Sequence, residues 1–147
     1  MAILDTMARF SNAQSIAAGV GDVVSTDIYD TGAQADAGIG EETYLEIRTV
    51  AAVTSGGGAT VQFVLQTDDN PSFSSPREFP LTAALALSAL TANTRQVLTR
   101  LPVGLERYLR VIYRIGTATT TGGTASAYLL KNPQVAPTLP TTVPGVK

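Results

Sequence analysis

The chain has 147 residues, a length that fits one domain with room for a real core. Apolar residues make up 44% and charged residues only 15%, which excludes a disordered chain. Cys, His and Trp are absent and the formal net charge is −2. Disulfides, thiolate metal sites and His-based catalytic triads are thereby excluded, and nothing in the charge calls for a nucleic-acid partner.

The first segment, residues 1–22, has no clean hydrophobic period but carries Ile3, Leu4, Met7, Phe10 and Ile16. It reads either as an edge strand or as an arm packed on a neighbour. Beyond it the pattern has period two nearly everywhere, broken by turn residues. Strands are expected over 23–29, 44–50, 60–67, 96–101, 108–115 and 124–130, with shorter paired pieces near 77–81 and 86–91. In 44–50, Leu45, Ile47 and Thr49 alternate with Glu46 and Arg48, so one face packs and the other is wet. Gly56-Gly57-Gly58 reads as a flexible hairpin tip between two strands. Along 108–115, Leu109, Val111, Tyr113 and Ile115 share one face, and Tyr108, Arg110, Ile112 and Arg114 the other. Residues 83–90 are the one stretch that suggests a helix, but the run is short, and an apolar crossing at the end of a sandwich explains it equally well.

The expected fold is all-β: an antiparallel β-sandwich or barrel of about eight strands over residues 23–131. The last segment, 132–147, places Pro133, Pro137, Pro140 and Pro144 every three or four residues. Proline lacks the amide donor and fixes φ, so this tail is expected to be extended and outside any sheet interior.

Charge is unevenly distributed along the chain. Residues 1–74 hold ten acids against Arg9 and Arg48, and residues 75–147 hold eight bases against Glu78 and Glu106. Such halves either complement each other between copies or mix in space when the strands interleave. Arg95, Arg100, Arg107, Arg110 and Arg114 supply half of the ten basic residues. With Tyr108 on the same strand face, they suit a protein contact, a solvated face or single-stranded nucleic acid; the low pI of about 5.0 speaks against the last.

The remaining chemistry is thin. Asp68-Asp69-Asn70 clusters oxygens on a loop, yet lacks the spaced acidic pattern of a calcium loop and also suits a self-capped turn. Glu41-Glu42 has no pairing partner for acid/base work, because adjacent strand residues face opposite sides. Gly38-Ile39-Gly40 and Gly56–Gly58 lack the strand-to-helix context of a phosphate loop. No catalytic residue, cofactor or metal is expected, and the chain is read as a non-enzyme. No run of 18 apolar residues is present and no secretory signal is expected, so no membrane association is anticipated.

Three stretches in register carry a resemblance. They are Ile28-Tyr29-Asp30-Thr31-Gly32 leading to Gly38-Ile39-Gly40-Glu41; Val64-Leu65-Gln66-Thr67-Asp68-Asp69 followed by Phe73-Ser74-Ser75-Pro76; and Leu101-Pro102-Val103-Gly104-Leu105-Glu106-Arg107-Tyr108-Leu109-Arg110. Over roughly residues 1–131 the chain resembles the capsid cement (decoration) proteins of tailed bacteriophages, of the type first described in a Bordetella phage. The Pro-rich tail departs from that family's short C-terminus. The resemblance implies a jelly roll on the outer surface of an icosahedral head, made in the bacterial host cytoplasm and bridging subunits of the major capsid protein. It further implies a homo-dimer or homo-trimer around a lattice axis, with no nucleic acid and no catalytic residues.

Residues expected at protein interfaces are Leu4, Met7, Phe10, Tyr108, Arg110, Arg114, Pro137 and Pro140. Deleting residues 1–10 is expected to weaken shell binding while leaving the core folded. Two rival classes were weighed. A carbohydrate-binding sandwich would need an aromatic platform drawn from Tyr29, Tyr44, Tyr108, Tyr113 and Tyr128. A carboxylate hydrolase would need acids such as Asp68 or Glu41 set across a cleft.

Overall fold

A computed structural model describes residues 6–32, 42–131 and 133. Its strands are β1 (Arg9–Ser15), β2 (Gly21–Val24), β3 (Tyr29–Asp30), β4 (Tyr44–Thr54) and β5 (Thr60–Asp68). They continue with β6 (Arg77–Pro80), β7 (Leu85–Ala86), β8 (Thr94–Arg100), β9 (Tyr108–Gly116) and β10 (Gly122–Leu130). All pairings are antiparallel. One sheet has the order β1-β10-β4-β8; the other has β2-β9-β5-β6, with β3 also on β9 and β7 also on β5.

Taken as interrupted single strands, β2/β3 and β6/β7 reduce the ten segments to eight. Apart from the breaks within those two strands and the turn from β5 to β6, every connection crosses from one sheet to the other. That is the double Greek key of a jelly roll, so the all-β expectation holds.

The core lies between the sheets. Leu45 and Ile47 from β4 meet Ala125, Ala127 and Leu129 from β10 on one side; Val61, Phe63 and Leu65 from β5 meet Leu109, Val111 and Tyr113 from β9 on the other. Phe63 and Tyr113 pack edge to face at 5.9 Å. The Tyr113 hydroxyl hydrogen-bonds Ser11 of β1 across the two sheets. Burial pushes its phenol up to about 12.

Three local expectations are corrected. Gly56–Gly58 is not a hairpin tip, because β4 and β5 belong to different sheets. It is a tight crossover in which a Cβ on Gly57 would stand 2.8 Å from the Ala118 Cβ. Period two reveals a strand's faces but not its partner. The expected strand 23–29 is broken, since Ser25 substitutes its hydroxyl for a ladder rung, accepting from the Val111 amide, and Asp27 N–H turns away to the Phe10 carbonyl. Residues 83–90 form the short β7 and a 3₁₀ turn at Leu87–Ala89, not a helix. The piece near 86–91 therefore pairs only through its first residue.

The N-terminal segment is an edge strand from Arg9 onward, paired with β10 through two register shifts. Such irregularity disfavours further strand addition at that edge.

Candidate interaction surface

The outward face of the second sheet carries the predicted arginines. Register places Asp22 opposite Arg114 and Arg114 opposite Gln62; Arg110 stands opposite Gln66, and Gln66 opposite Glu78. Arg114 donates from Nε to Asp22 Oδ1 at 2.7 Å and from Nη2 to Asp22 Oδ2 at 2.9 Å. Its guanidinium also reaches over β5 to β6, with Nη2 at 2.9 Å from Glu78 Oε1. Gln66 donates to the same Glu78 oxygen at 2.7 Å and accepts from Arg110 Nε at 2.7 Å. The Arg110 guanidinium lies 4.1 Å from the centre of the Phe73 ring.

This chain of contacts ties β2, β9, β5 and β6 together from outside. Outward-pointing Ile112 and Val64 are sealed beneath it, at 1% and 0% exposure. The Arg114 hydrogen bonds hold the Asp22 and Glu78 carboxyls below their usual range, and the carboxylates in turn raise the Arg114 pKa. Burial pulls the Arg110 pKa down.

Arg110 and Arg114 thus share a strand face, as expected, but both are engaged within the chain, Arg114 through all three guanidinium nitrogens and Arg110 through Nε and the Phe73 ring. Tyr108 is half-buried under the Arg107 guanidinium, 5.0 Å from its ring centre, and Arg107 makes a two-pronged pair with Asp30. Phe10 is corrected outright: it has 0% exposure, packs on Tyr29 and belongs to the core, so it offers no surface to a partner. Met7 is open, at 82%. Leu4, Pro137, Pro140, the Gly38–Gly40 motif and Glu41 lie outside the described residues.

The charge halves mix within one chain. Of six ion pairs among the described residues, four join the acidic first half to the basic second half: Glu46–Arg95, Glu42–Arg100, Asp30–Arg107 and Asp22–Arg114. The Asp68 carboxylate accepts the backbone N–H of Asn70 at 3.0 Å and of Ser75 at 2.9 Å, which lowers its pKa and shapes the loop after β5. It is a turn cap. Among the described residues no group of three or more acidic side chains is placed to hold a metal ion.

The five tyrosines do not gather into a platform. Tyr113 is buried, Tyr29 leans edge-on against Phe10, and Tyr108 is covered by Arg107. Tyr44 and Tyr128 turn their hydroxyls to Glu42 and Glu46.

A grouping not singled out in the sequence is on the outward face of the first sheet. There Arg48 stands directly opposite Arg95, Tyr44 opposite Arg100, and Arg9 opposite Tyr128. The alternation of Tyr44, Glu46 and Arg48 marks this face as polar, but only register brings four arginines from three strands onto it.

A family model matches residues 10–129, from the second residue of β1 to the penultimate residue of β10. The chain belongs to the Bbp16 family. Bbp16 is a Bordetella phage family name, which is consistent with a phage protein, and the match takes in all but the two end residues of the jelly roll. No curated protein matches the chain. Family and fold together fit a phage structural protein, and the glycan-binding alternative is not favoured.

Proposed function

We propose that this Bbp16-family protein is a capsid decoration protein: a non-enzymatic virion component that binds the outside of an icosahedral phage head. It stabilises the head by bridging subunits of the major capsid protein, and it acts as a homo-dimer or homo-trimer around a lattice axis. The observation that carries this reading is the Bbp16 match coinciding with a complete jelly roll.

Physical properties support it. The strands of the β2-β9-β5-β6 sheet are tied across their outer face by the Asp22–Arg114–Glu78 bridge, which stiffens that sheet. Without Cys or His, no side chain changes its redox state as a thiol or titrates near neutrality as an imidazole. Contacts repeated over a closed shell add avidity, so each one can be modest.

The test is co-sedimentation with expanded heads of the cognate phage prepared without the protein. Saturation at a fixed ratio to the major capsid protein is expected. Absence of binding across the saturating range would overturn the assignment.

A further inference from the structure

Among the described residues, the outward face of the β1-β10-β4-β8 sheet carries more arginines than carboxylates. Among the described residues, Arg9, Arg48, Arg95 and Arg100 share this face with two carboxylates, Glu46 and Glu42. Arg100 takes Glu42 at 3.2 Å. Glu46, only 7% exposed, serves the rest through one oxygen: Arg48 Nη2 at 3.3 Å, the Tyr128 hydroxyl at 3.1 Å and Arg95 Nε at 3.8 Å.

The last distance is too long for a hydrogen bond. Arg95 therefore donates no side-chain hydrogen bond to any described residue, while standing directly opposite another arginine, Arg48. Like charges so placed are destabilising. Arg9 Nε has no hydrogen-bond partner among the described residues, but it is buried beyond a docked partner's reach and adds charge to the face rather than an open donor. The opposite sheet makes the contrast plain, because Arg114 and Arg107 there are both bound in two-pronged fashion to carboxylates.

We infer that this sheet face is a docking surface for an acidic protein segment, whose carboxylates take the unfilled donors of Arg95 and the charge of Arg48 beside it. Planar guanidinium forks suit carboxylates, and arginine with tyrosine is the composition enriched at protein interfaces while lysine is depleted. The sequence has no Lys before Lys131. A nucleic-acid backbone fits less well: Glu42 and Glu46 sit within the face and would repel a continuous line of phosphates. A second copy presenting its own acidic face also fits poorly, because Asp22, Asp30 and Glu78 are already bound to arginines.

In the context of the proposed function the segment would belong to the major capsid protein, and that part of the inference rests on the head-binding reading. Two probes keep the failures apart. Anisotropy of a labelled poly-glutamate peptide at low salt reads the face alone; co-sedimentation with heads reads the virion role.

The full-length chain is expected to bind the peptide. An Arg48→Gln/Arg95→Gln pair should weaken binding about tenfold, with loss also on raising salt. Arg107→Gln, on the loop before β9, should leave binding unchanged. Because removing both arginines strips Glu46 of its two cationic partners, Arg100→Gln serves as a second variant with an exposed carboxylate left behind, and it should weaken binding severalfold. Binding that is absent at low salt, or indifferent to these substitutions, overturns the inference. So does a labelled oligodeoxythymidine that binds more tightly through the same residues. If the peptide binds as described but heads do not, the acidic-segment surface stands and the capsid assignment fails.

Discussion

Arg114 joins two carboxylates that lie on strands with no ladder between them, β2 and β6. Its aliphatic stem and guanidinium lie on the layer that seals Ile112 and Val64, so the residue combines packing with charge. Exposed ion pairs are individually worth little, but a two-pronged arginine in a network is the favourable case. Arg114→Ala is therefore expected to cost about 1 kcal/mol in urea unfolding, after allowing for solvent screening. The acid response has a definite sign. Asp22 and Glu78 have folded pKa values below their ordinary 3.8 and 4.5. Their contribution is complete above those ordinary values and is lost as pH falls through the lower folded ones. Stability should fall between about pH 5 and pH 3, and less steeply in Arg114→Ala than in the parent chain. Equal slopes in the two proteins would show that other carboxylates carry the acid sensitivity.

At the level of elements, β1 and β10 show where the jelly roll tolerates change. Phe10 is a core residue, so deleting residues 1–10 does not merely trim an arm. That deletion should destabilise the fold by roughly 3–5 kcal/mol, the range for losing a buried Phe, read as a urea midpoint below that of the full chain. The comparison of the two midpoints is the measurement. A buried Phe10 argues against the expectation that a 1–10 truncation spares the core; residues 1–22 lack a period, and without a period no residue can be assigned to a buried face. Gly123, at a register shift in β10, has φ +123°, and a Cβ there would meet the Val53 Cα at 2.9 Å. Backbone cannot move aside as a side-chain tip can. Gly123→Ala is expected to lose roughly 1–3 kcal/mol by the same assay.

For the molecule as a whole, strand order decides behaviour. Nearly every connection crosses between sheets, so most native contacts are distant in sequence, and folding should be slow, in milliseconds to seconds by stopped-flow mixing. A thiol reductant should not change the midpoint, there being no cysteine. Between about pH 6 and pH 8 it should also stay flat, since the ordinary side-chain pKa values of the residues present lie outside that window. A change in either case would point to a bound group.

Much of the fold could be read from the chain directly. Alternation within 44–50, 60–67 and 108–115 marks strands, because a pleated backbone turns successive side chains to opposite faces. The same rule separates core residues such as Leu45, Phe63 and Val111 from Arg48 and Arg110 before any coordinates exist. Absent Cys and His close whole classes of chemistry by simple stoichiometry. What alternation does not contain is which strand lies beside which. That choice is made by the packing of two sheets, and it turned Gly56–Gly58 into a crossover, joined Arg114 to Asp22 and Glu78, and set Arg48 opposite Arg95. Partners 92 positions apart, as in Asp22–Arg114, leave no local signal, because their proximity comes from the closed path of the whole chain.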